Sequence, residues 1–588
     1  MKKEMIAKWT SMFNEGEYEQ LERTARFYLM KHPGSGMAYK GLSAALQVQG
    51  KDAMQPAKMA AELLVTDVEA QFNYGVILQK ADKLDDAIAQ YRKALAVKPN
   101  YAPAYNNMGN ALKDSCRAHE SILAYRRVLE IDPTLVEAYL NMGNSLGGIG
   151  LFKHAISAYR HGLMLKPDFE EIYTSLIFTT DLMSGPNAAD AHAVRREWYE
   201  NCIAKLGRYS SYENDLSTDR RLRIGYVSAD FKEHSAARSF GGMLTWFNPL
   251  KFEVYAYCNN EKKGDDFTKM FREGVTAWRE TRKMADSDLA ELIRQDKIDI
   301  LVDLSGHTQG NRLQVFARKP APIQITAWGY ASGTGMDAMD VLFSDEVVIP
   351  PDEQKHYTEE IRYLPSLLGT FFSQNFPECA ILPALESKWI TFGSLNRIAK
   401  LTDETFDVWA QILLRVPDSR LLLKCGGMDD KATKENVLWK FGRVGIEPWR
   451  INIHGASPWW DHVNTNNKID IGLDPFPHGG GMTSLEGFVM GVPTVTLRCS
   501  TIAGRLGASF NKSLGMEDWT AETKEQYIEI AVTKAADRQA LAKLRAELPG
   551  RFDKSAIGDA NAYTRAVEAE YRFLWERWCA KTVEKTGT

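Results

Sequence analysis

The feature that most constrains this chain is a period of 34 residues in its first third. Three series of residues follow the period: Gly41, Gly75, Gly109 and Gly143; Tyr91, Tyr125 and Tyr159; and Pro99, Pro133 and Pro167. A fixed period of this length predicts one helix pair per repeat. Glycine lets the helices approach, tyrosine fills the space between neighbours, and proline ends the pair. Such arrays hold other proteins, so we expect the rest of the chain to act on a polypeptide that the array presents.

The spacing resembles the tetratricopeptide repeat. Counted from the glycines, the repeats fall at residues 34–67, 68–101, 102–135 and 136–169, and the first of them is degenerate. Residues 1–33 are helical in pattern and are predicted to form an N-terminal helical cap.

A ladder of asparagines accompanies the repeats. Asn73, Asn107 and Asn141 stand two positions before the last three glycines, on the helix that lines the concave face of such arrays. An amide both donates and accepts, so stacked amides suit binding to the backbone of an extended peptide. The alternative is that these amides bond within or between helices. Asn110 and Asn144, one position after the glycines, are predicted to be structural.

Charge and cysteine content limit the other functional classes. The 588 residues include 72 Lys and Arg against 76 Asp and Glu, a net charge of -4, which favours neither nucleic acid nor an acidic membrane as a partner. The seven cysteines are widely spaced and form no CxxC pair, which argues against a disulfide framework and a structural zinc site. The N-terminus is charged where a secretory segment would be apolar, and no run of about 18 apolar residues occurs. We expect a cytoplasmic protein.

From Arg221 onward the pattern changes to strands that alternate with helices. The predicted buried strands are RLRIGYVSAD, FEVYAYC, IDILVDLSG, PIQITAWGY and VLFSDEVVI, followed after a short join by WITFGSL, SRLLLKCGG, RINIHG, IDIGLDPF and VPTVTL. Two successive sheets of this kind predict two Rossmann-like domains with a cleft at the carboxyl ends of their strands. The predicted divisions are a helical linker at 170–217, an N-terminal lobe at 218–375, a C-terminal lobe at 385–556 and a C-terminal helix at 557–588.

The second sheet carries the stronger chemical signal. Gly479, Gly480 and Gly481 lie between a predicted strand and a helix that opens near Thr483 and Ser484. Free N–H groups at a helix N-terminus, with glycines that allow close approach, suit a diphosphate. A glycine-rich turn before a helix also occurs for packing reasons. Neither GxGxxG nor a P-loop GxxxxGK[ST] is present there, which argues against a dinucleotide-dependent dehydrogenase and against an ATPase.

Two ionisable residues follow predicted strands. Lys400 lies between a strand end and a helix start, where its charge suits a leaving phosphate, although most lysines are simply solvated. His234 lies in the loop after the first strand and is a candidate base or anion donor. Asp286 and Asp288 form a D-S-D sequence that matches a metal motif, but they open a helix, where acidic residues are expected. No metal and no cofactor are predicted.

Several separated motifs, in the right order, support one family. They are DFKEH, DLSGHTQGNRLQVFARKPAPIQITAWGYASGTG, SLNRIAK, RVP, TSLEGFVMGVPTVTL and the pair Gly504-Arg505. Together with the repeats they resemble the O-linked N-acetylglucosamine transferase family, including its plant SPINDLY-type and bacterial relatives. The resemblance implies an N-terminal tetratricopeptide-repeat α-solenoid followed by a GT-B glycosyltransferase of two Rossmann-like domains. It also implies a UDP-sugar donor, most simply UDP-N-acetylglucosamine, and inverting transfer to Ser or Thr of a protein.

The resemblance further implies roles for individual residues. Lys400 matches the lysine that contacts the diphosphate, and Thr483 with Ser484 matches the phosphate-binding helix start. His234 matches the active-site histidine, whose role as general base is left open. On the nucleotide side the implied residues are Gly455, Ala456, His462, Gly480, Gly481, Glu486 and Arg505, and on the sugar and acceptor side they are His307, Thr308, Gly329 and Tyr330. For His307 the alternative is a strand-end histidine bonded to a buried carbonyl, and for Arg505 it is a structural ion pair.

Two departures from the family pattern stand near these residues. Met482 occupies a position where many relatives have threonine, and Gly504 replaces the usual serine. Either change is expected to loosen phosphate contacts or admit a different sugar. Three alternatives therefore stay open: another nucleotide sugar, an asparagine acceptor on a surface protein such as flagellin or an adhesin, or an inactive repeat scaffold. Pairing of two chains through the repeats is a further possibility.

Overall fold

A computed structural model describes residues 3–183, 187–260, 264–330, 332–370 and 375–586. The chain divides into two compact units, Met1–Lys166 and Pro167–Thr588, which are described separately below. Among the described residues, no helix is both long enough and apolar enough to cross a membrane.

In its described residues, the first unit forms ten helices, and successive helices pack against each other. They are α1 (Lys3–Asn14), α2 (Tyr18–Lys31), α3 (Gly36–Val48), α4 (Met54–Leu63), α5 (Val68–Lys80), α6 (Leu84–Val97), α7 (Ala102–Asp114), α8 (Ala118–Ile131), α9 (Val136–Gly148) and α10 (Phe152–Leu165). The segment predicted as a cap is thus itself a helix pair, because α1 and α2 bury Trp9 and Leu21 against α3.

The repeat glycines and tyrosines meet within each pair. A Cβ atom on Gly109 would lie 2.7 Å from the ring of Tyr125, and one on Gly143 would lie 2.3 Å from the ring of Tyr159. Only glycine leaves room for the buried ring, which explains why the two residue types recur in step. The phenol of Tyr125 donates to Asn110 at 2.6 Å, so the prediction that this amide is structural is confirmed.

The second unit opens with α11 (Glu170–Leu182) and α12 (Ala188–Trp198), which a π-helical turn extends to Ile203. The predicted helical linker is therefore helical over only part of its length, since residues 207–217 have no regular secondary structure. This extended segment is held by the first lobe instead: Tyr212 donates to the Lys319 carbonyl at 3.0 Å.

The first lobe is a seven-stranded parallel sheet in the order β3-β2-β1-β4-β5-β6-β7. Its elements are β1 (Leu222–Ser228), α13 (Ala237–Thr245), β2 (Phe252–Cys258), α14 (Asp266–Gly274), β3 (Ala277–Glu280), α15 (Asp286–Gln295), β4 (Ile300–Asp303), α16 (Leu313–Ala317), β5 (Ile323–Thr326), β6 (Val341–Ser344) and β7 (Glu360–Tyr363). The chain order reverses between β1 and β4, which is where ligands bind in sheets of this topology.

The second lobe repeats the plan with six parallel strands in the order β10-β9-β8-β11-β12-β13. Its elements are α17 (Ala384–Ser387), β8 (Thr391–Ser394), α18 (Asp403–Arg415), β9 (Arg420–Lys424), α19 (Lys431–Gly442), β10 (Ile451–His454), α20 (Trp459–Asn464), β11 (Ile471–Leu473), α21 (Met482–Val489), β12 (Thr494–Leu497), α22 (Ile502–Ser513), β13 (Thr520–Ala521), α23 (Lys524–Ala536) and α24 (Arg538–Asp553). Its switch point lies between β8 and β11.

The last helix, α25 (Ala560–Thr586), returns to the first lobe. The Tyr571 ring stacks on Phe343 at 5.9 Å, and its hydroxyl lies 3.1 Å from that of Tyr226. The chain therefore crosses between the lobes twice, which fixes the two switch points on facing sides of one cleft.

Candidate active site

The two switch points open onto a cavity of about 850 Å³. Residues from β1, β4 and β5 ends line one side, and residues that follow β8 and β11 line the other. Predicted site residues on its lining are His234, Thr308, Gly329, Tyr330, Lys400, Gly481 and Thr483. The structure thus brings together three residues predicted for the diphosphate, Lys400, Gly481 and Thr483, and most of those predicted for the sugar and acceptor.

The glycine loop after β11 is shaped by a buried carboxylate. Asp474 accepts from the Gly480 amide at 2.6 Å and from the Thr496 hydroxyl at 2.9 Å, and its burial raises its pKa to about 6. A Cβ atom on Gly480 would lie 2.0 Å from Ser484 Oγ, so the loop turns tightly enough only with glycine. Gly480 and Ser484 form the back of this turn, whereas Gly481 and Thr483 reach the cavity.

The start of α21 presents unpaired donors to the cavity. Within the described part of the chain, the backbone N–H groups of Gly481, Met482 and Thr483 have no hydrogen-bond acceptor. The positive end of the helix dipole lies at the same point, and the two effects together favour an anion.

Two cations face this helix start from the turn after β8. Lys400 Nζ donates to the Gly479 carbonyl at 2.6 Å, and burial together with nearby Arg397 lowers the pKa of Lys400 to about 7, against a smaller opposing effect of Asp474. Arg397 lines the cavity with its guanidinium 5.7 Å from the centre of the Phe178 ring. Neither cation forms an ion pair with a described residue, so both charges are available to an anionic ligand.

His234 lies on the opposite wall, in the loop after β1, and is about half exposed. Its Nδ1 accepts from the Ala236 amide at 3.2 Å and lies 3.6 Å from an Asp230 carboxylate oxygen. Because Nδ1 accepts, the neutral ring carries its hydrogen on Nε2. The Nε2–H of His234 is then the ring's remaining donor, and the Asp230 carboxylate lies beside the ring on the cavity lining.

The loop after β5 forms the rest of this wall. Trp328 has a φ of 55°, a strained value for a bulky residue, and its indole donates to Tyr563 at 2.9 Å. A Cβ atom on Gly329 would lie 1.6 Å from the Leu304 carbonyl oxygen, so the loop crosses the end of β4 at a distance that only glycine permits.

His307 does not line the cavity, contrary to the prediction from the resemblance. The ring is buried, its Nε2 lies 2.9 Å from the Thr334 carbonyl oxygen, and Trp198 packs edge-on against it at 4.5 Å. Burial lowers the pKa of His307 to about 3, so the ring is neutral and donates to that carbonyl. His307 therefore fits the alternative interpretation, a strand-end histidine bonded to a buried carbonyl.

Arg505 also points away from the cavity. Its guanidinium binds both carboxylate oxygens of Glu353 at 2.6 Å and the Val348 carbonyl at 3.1 Å. Arg505 belongs to the second lobe and Glu353 to the first, so the ion pair joins the lobes instead of supporting a nucleotide loop. Of the two interpretations of Arg505, the structural ion pair is the one observed.

The residues predicted for the nucleobase and ribose lie apart from the main cavity lining. Glu486 is buried and accepts from the Trp459 indole at 2.9 Å. Asp429 accepts from the Ala456 amide at 2.9 Å, and a Cβ on Gly455 would lie 1.6 Å from the same carboxylate. His462 is half-buried on α20, and burial lowers its pKa. The Glu486 carboxylate and the Ala456 amide are therefore both bonded to protein groups.

The two departures from the family pattern have different structural meanings. Met482 lines the cavity, where it narrows the space beside the helix start. Gly504 instead lies on α22, where a Cβ atom would lie 2.4 Å from the Pro477 carbonyl oxygen. The glycine thus permits close packing of α22 on the loop after β11. The Asp286 carboxylate, part of the D-S-D sequence, pairs with Arg312 at 2.6 Å.

Sequence reasoning missed several lining residues. Arg397 and His478 lie beside predicted residues and were hidden because a single arginine or histidine in a loop carries no periodic signal. His478 makes no hydrogen bond within the described residues, and its Nδ1 is buried. Six further lining residues belong to the segment predicted to be a helical linker: Phe178, Asp181, Ala188, Ala191, His192 and Arg195.

Comparisons with known proteins agree with this arrangement. A model of glycosyl transferase family 41 matches residues 200–388 and 381–567, a TPR repeat model matches 75–115, and a tetratricopeptide repeat model matches 102–135 and 136–169. Among solved structures, a lysine-to-methionine mutant of the O-GlcNAc transferase from Thermobaculum terrenum superposes with a TM-score of 0.80. Its sequence is 30% identical, and the match covers 88% of this chain and 98% of that one.

Two curated plant proteins are also similar. Each is described as a probable UDP-N-acetylglucosamine--peptide N-acetylglucosaminyltransferase SPINDLY. The one from Oryza sativa subsp. japonica is 36% identical over 397 residues, and the one from Hordeum vulgare is 36% identical over 400. Each match covers 66% of this chain and 42% of the plant protein, so the chain spans less than half the length of these relatives. The resemblance and the predicted repeat and GT-B architecture are confirmed, and the chain belongs to glycosyl transferase family 41.

Proposed function

We propose that this protein is a protein O-glycosyltransferase that transfers N-acetylglucosamine, with inversion, from UDP-N-acetylglucosamine to Ser or Thr of protein acceptors. The observation that carries the proposal is the pairing of two unneutralised cations, Lys400 and Arg397, with the free amides of α21 on one wall of a single cavity. That wall suits a diphosphate, and the opposite wall carries His234 and Asp230.

The charges explain how the leaving group departs. In an inverting displacement the acceptor oxygen forms a bond to the anomeric carbon while the bond from that carbon to the diphosphate oxygen breaks. Negative charge then grows on the diphosphate. Lys400, Arg397 and the helix dipole lie where they stabilise this charge without reorganisation, which is the largest contribution that such sites make. We therefore propose that no metal is needed.

The opposite wall has to position the acceptor hydroxyl and take its proton. His234 donates through Nε2 in the observed conformation, so it suits an oxygen acceptor on the sugar or the diphosphate. The Asp230 carboxylate, 3.6 Å from the ring, is the neighbouring group able to accept a proton or to hold a protonated His234.

The repeats supply the acceptor in this proposal. Asn73, Asn107 and Asn141 each lie half-buried on the first helix of a repeat, α5, α7 and α9. The nearby Tyr91 hydroxyl donates to Gln79 at 2.7 Å, so the Asn107 amide keeps hydrogen-bonding capacity for a peptide backbone. The curated relatives are named as peptide transferases, which supports a protein acceptor. A cytoplasmic location and pairing of chains through the repeats stay predictions.

The test compares Lys400→Met with the wild-type chain. We expect the variant to lose UDP release and sugar transfer by about 100-fold or more, because a leaving-group cation is removed from the site. Lys319→Met is the matched control: this lysine is also largely shielded from solvent but pairs with Asp340 outside the cavity. Turnover is followed as UDP release from a panel of UDP-sugars, with glycosylated peptides identified by mass spectrometry.

The outcomes separate the alternatives. If UDP is released only from another UDP-sugar, the donor in the proposal is wrong. If mass spectrometry finds the sugar on asparagine, the acceptor residue in the proposal is wrong. No release from any UDP-sugar, or full activity in Lys400→Met, would show that the chain is a repeat scaffold or that another group bears the leaving charge.

A further inference from the structure

The two helices before the first strand are part of the cavity, although the sequence predicts only a linker there. Helices α11 and α12 contribute Asp181 and Arg195 to the lining. The Arg195 side chain is only 1% exposed, which is rare for an arginine and requires that its donors be paired.

Arg195 makes four hydrogen bonds on two sides. On its own helix pair it donates to Asp181 at 2.6 Å and to the Ala191 carbonyl at 2.7 Å. On the loop after β5 it donates to the Ser332 hydroxyl at 2.7 Å and to the Gly333 carbonyl at 3.2 Å. Residue 331 lies outside the described residues.

The carboxylate of Asp181 connects this arginine to the acceptor side of the cavity. The same oxygen that binds Arg195 accepts from the Tyr330 hydroxyl. The Tyr330 ring lies 5.9 Å from that of Phe178 on α11, and both rings line the cavity. Tyr330 is therefore held by the helix pair through its hydroxyl and through ring packing.

The loop after β5 also approaches helix α12 closely. A Cβ atom on Gly335 would lie 2.8 Å from Arg195, so the end of the loop packs directly on α12. The preceding residue, Thr334, donates from its amide to the Glu359 carboxylate at 2.6 Å. The loop is thus clamped by α12 on one side and by the first lobe on the other.

We propose that Arg195 is a positioning residue that acts through Asp181 to fix Tyr330 on the acceptor side of the cavity, so that α11 and α12 form part of the acceptor site. The inference rests on the proposed transferase function. Without the guanidinium, the buried Asp181 carboxylate would keep the Tyr330 hydroxyl but lose its cationic partner, a cost that a protein relieves by rearranging the group. That rearrangement changes the hydrogen bond that holds Tyr330.

The test measures transfer to peptide against reaction with water. The variants are Arg195→Met, Asp181→Asn and Tyr330→Phe, singly and in pairs, with UDP-N-acetylglucosamine as donor and an array of Ser- and Thr-containing peptides as acceptor. We expect kcat/KM for peptide to fall by about 10- to 100-fold, the cost of a displacement of about 1 Å at a reacting centre. In Arg195→Met, which removes only the positioning residue, the KM for the donor and the rate of donor hydrolysis should stay within about twofold.

The double variants test whether Arg195 acts through Asp181. If it does, Arg195→Met combined with Tyr330→Phe loses no more than the worse single variant, since both break one connection. Multiplied losses would overturn the proposal, as would unchanged transfer in Arg195→Met. Arg220→Met is the control. It removes the cation that lies 2.7 Å from the buried Asp299 carboxylate, which directly precedes β4 at the amino ends of the strands, away from the cavity.

The control also separates a loss of stability from a loss of positioning. If Arg220→Met and Arg195→Met reduce transfer equally, the role of Arg195 is only structural and the proposal fails. If the wild-type chain binds UDP but transfers to no peptide, the proposed function fails first, and that result is visible without any variant.

Discussion

The sharpest prediction concerns the pH dependence of UDP binding, because Lys400 is buried without an ion-pair partner. Its pKa in the free protein is lowered from 10.5 to about 7. A bound diphosphate places negative charge beside the ammonium group and raises this pKa again. Binding above pH 7 must therefore take up a proton, and the affinity for UDP must fall as the pH rises.

The magnitude follows from the size of the shift. If the bound diphosphate returns the pKa toward 10.5, the association constant falls by about tenfold for each pH unit between 7 and 9, or about 100-fold in total. Free UDP stays fully ionised in most of this range, and Asp474, with a pKa of about 6, is ionised throughout it. Lys400 is thus the group in the described site whose charge changes over this interval.

Isothermal titration calorimetry of UDP at pH 8, in two buffers with different ionisation enthalpies, counts the protons directly. We expect uptake of close to one proton for the wild-type chain and none for Lys400→Met. Arg397→Met gives an intermediate case: it removes a neighbouring cation that stays charged at these pH values and that helps to lower the Lys400 pKa, so it should weaken UDP binding and reduce the proton uptake without abolishing it. The reasoning is refuted if the wild-type chain takes up no proton, or if Lys400→Met still does.

Three further predictions concern the lobes and the repeats. Glu353→Gln should lower the stability of the second unit by about 3 kcal/mol, because it leaves a buried arginine without its bidentate partner; thermal denaturation with and without UDP measures this. Gly109→Ala should destabilise the chain by about 1–3 kcal/mol in urea titrations, since its Cβ meets a tyrosine ring at 2.7 Å, whereas Gly148→Ala, with nothing within 4 Å, should not. Joint replacement of Asn107 and Asn141 by Ala should weaken transfer to proteins by about tenfold while donor hydrolysis is unchanged; equal losses would remove the peptide-binding role.

The fold could be predicted where the sequence carries a period or an apolar run. The repeat glycines face tyrosine rings, and the ten predicted strands lie in the two parallel sheets. Strands β3, β7 and β13 were missed because they are short and lie at or near sheet edges, where half-exposed residues such as Trp278 give no apolar run. The segment 207–217 was predicted to be helical, but its tyrosines bond to the first lobe, a tertiary contact that no local pattern records.

Predicted residues came to lie at or beside the cavity where backbone shape decides their position. Gly480 and Thr483 belong to a loop-helix pattern that is visible in the sequence, and Lys400 stands at a strand end. His307 and Arg505 fit the same motifs but point into packed regions, because side-chain direction depends on neighbours as distant as Trp198 and Glu353. Arg195 could not be found from the sequence, since its significance comes from a loop about 140 residues further along the chain.

The two lobes use one structural device for different purposes. In each lobe a buried aspartate after a central strand binds a glycine amide in the following turn and a threonine hydroxyl on the next strand. The two sets are Asp303, Gly306 and Thr326 in the first lobe and Asp474, Gly480 and Thr496 in the second.

The charges around these matched turns differ, and this difference assigns the roles of the lobes. Beside the second-lobe turn, Lys400 and Arg397 have no anionic partner among the described residues. In the first lobe, Lys232 on the cavity wall lies 3.4 Å from the Asp230 carboxylate. A diphosphate gains more from unpaired cations than from paired ones, because no existing ion pair has to be broken. Under the proposed function we therefore expect the donor diphosphate on the second lobe, and the sugar and the acceptor hydroxyl beside the paired charges of the first.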